Sequence, residues 1–381
     1  MMVMPLGPDY IAALGSTVDK MGVIAAAYGF AAAAVGFCAS FILDRFERKK
    51  AILFCLMGLL VATFLTAFTF DLTSMILARV IAGAFGGPLS ALTMSMITDT
   101  IPIARRGAAI GKVVSMFSIA AFLGVPFGLE LSALLGWQAP FITLAGAALI
   151  VWLFCRKFLP EHSNIITKNN IKDSIRRVKH IISRKASIVT LTLALVAMSG
   201  MFLIVTNISA HLQLNLKYPR EFLSVLYLVC GFANFFATRL IGKMLDLKGV
   251  MFTVLISCAL MIFSLYFGFI NYPSIIPVWL IFLTLMVGAS ARNVAMQTLS
   301  SKVPNNDERG TYFAITNTLQ NLGISLGAYI SSTMLLEENG KLVGMSKVGI
   351  YSLLVVLALP LTFMYALKLV NKRNKAEGNE S

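Results

Sequence analysis

A chain of 381 residues in which 58% of side chains are hydrophobic, only 13% are charged and the mean hydropathy is +0.82 is too apolar for a water-soluble domain. Its formal net charge of +15 is carried in loops between apolar runs and is a poor argument for nucleic-acid binding. Cys38, Cys55, Cys155, Cys230 and Cys258 stand singly in apolar runs, which argues against a disulfide framework or a metal site.

The first twenty residues, MMVMPLGPDYIAALGSTVDK, are apolar as far as Leu14, carry Pro5 and Pro8, and lack the basic start and cleavage site of a signal peptide. Crossing a hydrocarbon core of about 30 Å takes roughly 20 helical residues. Runs of that kind follow near 21 to 43, 50 to 69, 74 to 97, 108 to 134, 138 to 158, 187 to 211, 222 to 245, 250 to 270, 277 to 299, 311 to 335 and 348 to 370. They are continuously apolar rather than alternating, so helices and not a barrel are expected.

The loops between them are asymmetric. Of 32 Lys and Arg residues, 25 lie in or beside the loops at 44 to 50, 99 to 112, 156 to 185, 239 to 249, 302 to 309 and 368 to 381. Lys20, Lys217, Arg220, Lys341 and Lys347 lie on the other side, and Arg79 and Arg292 fall within spans. The positive-inside rule makes the first side cytoplasmic. Span 21 to 43 then runs inward, and a preceding helix would run outward to end near Leu14.

One long polar segment, Leu159 to Ser187, divides the chain into an N-terminal bundle over 1–158, a linker over 159–186, a C-terminal bundle over 187–370 and a tail over 371–381. In the linker Ile171, Ile175, Val178 and Ile182 keep helical spacing opposite Lys172, Arg176, Arg177 and Lys179, which suits a basic helix on an anionic leaflet or a solvated linker about equally. The halves correspond. Ser40-x-x-x-Asp44 recurs as Gly242-x-x-x-Asp246, Gly86 as Gly288, Arg106-Gly107 as Arg309-Gly310 and Gly124 as Gly327, each about 202 residues on. A parallel repeat of six-helix halves is a transporter architecture with its substrate site near the midplane.

At this point the sequence resembles the major facilitator superfamily. SFILDRFERK matches the loop pattern G-x-x-x-D-R-x-G-R-K after the second helix, with Ser40 and Glu47 in place of two glycines. LARVIAGAFGG resembles the fourth-helix motif, DTIPIARRGAAIG the loop after it, and GVPFG with GWQAPF the antiporter motif and sixth-helix entry of drug:proton antiporters. SARNVAMQTLSSKVPNNDERGTYF resembles the junction of the tenth and eleventh helices in the arabinose and nucleoside efflux branch. The resemblance implies an all-α polytopic membrane protein of two six-helix halves. Against that template the chain begins in the middle of the first helix, so a start truncated by roughly 15 to 20 residues is expected; a true eleven-span protein with its amino terminus outside is the alternative. The implied function is export of a sugar, nucleoside or drug-like solute in exchange for protons, by a monomer of the cytoplasmic membrane with linker and C-terminus in the cytoplasm. The proton gradient takes the place of a cofactor, and no nucleic acid is involved. Proton-coupled or facilitative import, a membrane enzyme and a non-transporting sensor are the alternatives.

The same resemblance assigns Asp44, Arg45, Arg48 and Lys49 to an interdomain latch against the region of Arg309, with Asp246 and Arg106 as its repeat-related partner. A carboxylate at a helix N-terminus gains about 0.3 to 1 kcal/mol from the dipole. Arg79 takes the motif position linked to proton coupling, and Gly124, Pro126 and Gly128 the packing positions of the antiporter motif. The spans hold no carboxylate near their centres, so the coupling carboxylate is expected either in the missing first segment or at Asp9. Arg292, Asn293, Asn207, Asn234, Asn317, Gln320 and Asn321 are cavity candidates, each with helix packing as the competing role. His211, at the outer end of its span, is expected to be solvated.

Overall fold

The computed structural model describes residues 4–42, 47–101, 113, 116, 119–160, 171–304 and 308–376. In hydrocarbon a backbone must pair its own N–H and C=O groups, so the long apolar runs fold as helices. A short helix α1, Gly7–Ala13, leads through a turn at Val18–Lys20 into α2, Met21–Ile42; α3 is Arg48–Thr66 and α4 is Leu72–Thr100. Asp71 starts α4 with a capping box, accepting from Ser74 N at 2.8 Å while Ser74 Oγ accepts from Asp71 N at 3.2 Å. The hydrogen bond to the Ser74 side chain, more than any other influence, holds the Asp71 carboxyl below the usual carboxylate range.

A π turn at Ala120–Gly124 feeds α5, Val125–Leu135, which stops at Gly136, where φ is +88°. Only glycine takes that conformation without strain. Then come α6, Ala139–Phe158, the linker helix α7, Ile171–Ser183, and α8, Lys185–Val205, extended past a kink by a π turn at His211–Asn215. The last four helices are α9, Leu223–Leu265, α10, Val278–Ser301, α11, Arg309–Met334, and α12, Met345–Ala376. Straight, the 43 residues of α9 would reach about 64 Å at 1.5 Å per residue, twice a hydrocarbon core. Gly249, at φ +82°, turns the chain and makes two limbs of it. Between α11 and α12 an antiparallel hairpin pairs β1, Leu336–Glu338, with β2, Lys341–Val343, Leu336 facing Val343.

Among the described residues eight helical stretches are long and apolar enough to cross a membrane, Arg220–Ile270 being counted as one although Gly249 divides it. The more polar α11 carries Asn317, Gln320 and Asn321. Within each half small residues let backbones touch, the usual device where lipid offers no hydrophobic drive to association. A Cβ on Gly83 would sit 2.2 Å from the Tyr28 carbonyl of α2, and one on Gly327 2.3 Å from the Ser199 carbonyl of α8. The repeat-related glycines are not contact equivalents: Gly86 lies against Tyr28 of α2, Gly288 against Ser257 and Met261 in the second limb of α9.

The halves meet along two seams, α2 against α11 and α5 against the first limb of α9. In the first, a Cβ on Gly22 would meet the Ala328 carbonyl at 2.1 Å, and one on Gly29 the Ser325 Oγ at 2.1 Å. In the second, Gly231 lies under Phe122, whose ring is 5.8 Å from that of Phe232 and 6.2 Å from that of Phe235.

Candidate functional site

Both seams are closed by polar contacts at the end of the bundle that is poor in Lys and Arg. Asp9 of α1 accepts from Arg220 through two bonds, Nε to Oδ1 at 3.0 Å and Nη2 to Oδ2 at 2.6 Å. Ser132 of α5 donates to the same carboxylate at 2.9 Å, and Arg220 Nη2 also donates to the Leu129 carbonyl at 3.3 Å. A two-pronged guanidinium fixes a carboxylate in orientation as well as in charge. Glu130 accepts from Ser224 at the start of α9. Asp9, Ser132 and Glu130 belong to the first half, Arg220 and Ser224 to the second. Beside the Asp9–Arg220 pair lies a cleft of about 390 Å³ lined by Asp9, Ser132, Ala133, Gly136, Trp137 and Arg220. On the other seam Glu337 of β1 accepts from Val18 N at 2.8 Å, Ser332 of α11 donates to the Asp19 carbonyl, and Ser209 donates to the Pro5 carbonyl at 2.9 Å.

Deeper in the first half, Arg79 of α4 is 7% exposed and donates Nη2 to Thr66 Oγ1 at the end of α3. Its guanidinium lies 5.6 Å from the centre of the Phe141 ring, and Phe141, Trp137 and Tyr10 form an aromatic chain with centroids 6.2 and 6.3 Å apart. A charge at this depth costs on the order of 3 kcal/mol on the mild insertion scale, which the hydroxyl and the ring face offset in part. Among the described residues Arg79 Nε and the buried Tyr10 hydroxyl have no hydrogen-bond partner.

In the second half Arg292 of α10 is 1% exposed, donating Nη1 to the Ala197 carbonyl of α8 at 2.7 Å and Nη2 to Asn293 Oδ1 at 3.2 Å. The structure thus places it between helices rather than on an open cavity wall. Asn207 is fully buried and donates to Ser331 of α11 at 2.9 Å. Asn234 is buried in the first limb of α9, its Oδ1 unpartnered among the described residues. Asn317 of α11 donates to Ser90 Oγ of α4 at 2.8 Å, joining the two halves, with Gln320 and Asn321 half-buried on the next turn. His211 departs from expectation: it is buried, Nε2 is 2.9 Å from the Gly268 carbonyl, and its ring stacks on Phe269 at 4.9 Å. The chain continues past His211 as a π turn, so the residue is packed between α8 and the end of α9 instead of reaching water.

Of the expected latch, Asp44, Arg45 and Arg106 lie outside the described residues. Arg48 and Lys49 open α3 half-buried, Arg309 opens α11, and Asp246 is exposed just before Gly249. Pro126 and Gly128 of the antiporter motif are buried in α5, and Gly124 closes the π turn before it. At the same end of the bundle the linker helix grips the start of α11: His180 Nδ1 is 2.6 Å from Glu308 Oε1, and Arg184 donates to Glu308 Oε2. Burial pushes the Glu308 carboxyl up, but hydrogen bonds from His180 and Arg184, with their charge, outweigh it and hold the carboxyl below the usual carboxylate range.

Sequence reasoning missed Arg220, Ser132, Ser224 and Glu308 as partners. Arg220 left a signal, being one of only five cations on its side and standing directly before an apolar span. His180 on the linker helix and Arg184 just past its end, four residues apart, left another. The two serines left none.

Residues 1–328 match the family model described as the Major Facilitator Superfamily. The chain belongs to this superfamily. Its members are transporters rather than enzymes. Among curated relatives, an uncharacterized MFS-type transporter of Bacillus subtilis (strain 168), YceJ, is 27% identical over 322 residues, 83% of this chain and 80% of the relative. A protein of Helicobacter acinonychis (strain Sheeba) named a probable sugar efflux transporter is 23% identical over 299 residues, 76% of this chain and 73% of the relative. Among solved structures, the nucleoside transporter NupG superimposes with a TM-score of 0.68 at 16% identity, covering 96% of this chain and 94% of its own. A D-xylose-proton symporter gives 0.71 at 16%, covering 94% and 91%. The superfamily member described here is thus an all-α, multi-pass membrane transporter.

Proposed function

We propose that this transporter exports a small organic solute, a sugar, nucleoside or drug-like compound, across the cytoplasmic membrane in exchange for protons. It works as a monomer by rocking its halves, with linker and C-terminus in the cytoplasm and the proton gradient in place of any cofactor. The observation that carries the reading is the Asp9–Arg220 pair, a titratable carboxylate of one half held by a guanidinium of the other. A proton arriving at Asp9 removes the charge that Arg220 binds, so it weakens the seam from which the proton came and couples proton entry to opening of the outer face. Behind Asp9 the packed rings of Tyr10, Trp137 and Phe141 carry movement at that seam to Arg79 in the first half, and Asn317 with Ser90, Gln320, Asn321, Asn293 and Asn234 supply hydrogen-bonding groups for a polyhydroxylated or amide-bearing solute. At the opposite end the latch of Asp44, Arg45, Arg48, Lys49 and Arg309, with Asp246 and Arg106, closes the cytoplasmic face when the outer face opens. The name of the Helicobacter relative supports export of sugar. Proton-coupled import is the second reading, supported by the name of the D-xylose-proton symporter.

Flux of labelled sugars, nucleosides and amphiphilic drugs in vesicles with imposed pH gradients of either sign separates the readings. Export by exchange predicts solute moving against the proton flow, and in Asp9→Asn a flux that no longer responds to the pH on the Arg220 side. Solute moving with the protons selects import, and gradient-independent flux with an unaltered Asp9→Asn profile rejects proton coupling through this pair.

A further inference from the structure

One side of α7 is tied to protein. Ile181 is buried, Val178 packs against the main core, and His180 and Arg184 hold Glu308. On a helix of 3.6 residues per turn, Ile182, Ile175 and Lys179 fall together on the other side with Arg176 beside them. All four are exposed, Ile175 at 53% and Ile182 at 47%. An apolar strip bordered by cations is thus left facing outward, and neither the seam nor the latch uses it.

Its position narrows the occupant. Ser183 ends α7 and Lys185 already opens α8, so the strip lies where a membrane-crossing helix leaves the hydrocarbon. Lys185 Nζ stands 6.0 Å from the ring of Tyr365 on α12. Tyr365, Lys368 and Lys372 follow one another at helical spacing, all exposed, with Leu361 exposed one turn earlier. Tyrosine prefers the membrane interface, and lysines just beyond it extend their ammonium groups to headgroup level. A solvated linker would have use for the cations but none for two bare isoleucines. An anionic leaflet accepts both, the isoleucines at the acyl boundary and the cations among phosphates.

We infer that the outward face of α7, with Lys185, Lys368 and Lys372, is a docking surface for anionic phospholipid headgroups. The surface pins the linker to the leaflet, and through His180, Arg184 and Glu308 it braces the start of α11. This goes beyond the transport reading and does not depend on which solute moves.

The test uses the full chain in vesicles of phosphatidylcholine alone or mixed with phosphatidylglycerol. An environment-sensitive fluorophore on Ile182→Cys, in a background without the natural cysteines, is expected to shift to the blue when phosphatidylglycerol is present. Each basic residue near an anionic surface favours binding about fivefold, about 1 kcal/mol. Selectivity for brominated phosphatidylglycerol over phosphatidylcholine, read by quenching, should therefore drop about 25-fold in Arg176→Gln/Lys179→Gln. That variant keeps the Glu308 clasp, so its thermal unfolding should match that of the parent. Equal selectivity in the variant, or a fluorophore that stays water-like with phosphatidylglycerol, overturns the assignment. Loss of selectivity in inorganic phosphate but not in chloride of equal ionic strength reassigns the surface to a soluble anion and overturns it too.

Discussion

At the scale of single residues, the bundle spends its few buried or half-buried charges on joints between elements. Asp9 with Arg220 joins the halves at one end, and Glu308 with His180 and Arg184 joins the linker to α11 at the other. Glu308 allows the clearest test, because its side chain is only 6% exposed and both of its oxygens are taken. In Glu308→Gln the charged acceptor is gone, and a hydrogen bond to a charged group contributes about 1.5 to 3 kcal/mol. The folded-state carboxyl lies below its ordinary value of 4.5, so the clasp contributes fully above pH 4.5 and loses its contribution as pH falls through the depressed folded value. Thermal unfolding in detergent should show the variant less stable than the parent at neutral pH, with the gap narrowing in acid below 4.5. A gap that does not change with pH would assign the loss to packing rather than charge.

At the scale of elements, much was legible because a membrane allows a chain so few choices. The apolar runs near 21 to 43, 138 to 158 and 277 to 299 reappear as α2, α6 and α10 with ends shifted by a few residues. What could not be read was how the ends finish. The π turns at Ala120–Gly124, His211–Asn215 and Tyr266–Ile270 and the hairpin after α11 depend on packing between distant segments. Thus Asn215 exchanges two hydrogen bonds with Leu342 of the hairpin, a partner 127 residues away. The seams were half legible. Glycine in α2 announces close packing, but only the structure shows that Gly22 meets α11 of the other half while Gly83 of α4 meets α2 of its own. Gly22→Val tests the seam as an element. Its side chain would need the space of the Ala328 carbonyl, so α2 and α11 must part at this end. Spin labels on the ends of α2 and α11 should report a longer mean distance and a larger open population than in the parent. An unchanged distance distribution would mean that the seam yields elsewhere and that the close approach does not hold the closed form.

At the scale of the whole molecule, five contacts among the described residues cross between halves at the Lys- and Arg-poor end and form a ring: Pro5 with Ser209, Asp9 with Arg220, Glu130 with Ser224, Val18 with Glu337 and Asp19 with Ser332. Five separate contacts on both seams describe a face that is shut, and a transporter that works by rocking must break them together once per cycle. They are individually weak enough for that. An ion pair whose partners keep 28% and 21% of their exposure is worth on the order of 1 kcal/mol, and a neutral hydrogen bond about the same. A ring of such contacts sets a population of closed states that solute or protons can shift by a few kcal/mol, within the reach of differential binding. If so, a covalent tie across the ring must stop transport outright, whichever direction the solute moves. Cysteines at positions 130 and 224, in a background without the five natural ones, can be bridged by a short cleavable bifunctional thiol reagent, because the side chains they replace now touch. Flux should fall to the background of empty vesicles on bridging and return when the spacer is cleaved, whereas two cysteines within one half, at positions 71 and 74, should be bridged with flux retained. Transport that persists with the halves tied at positions 130 and 224 would show that the solute crosses without parting them.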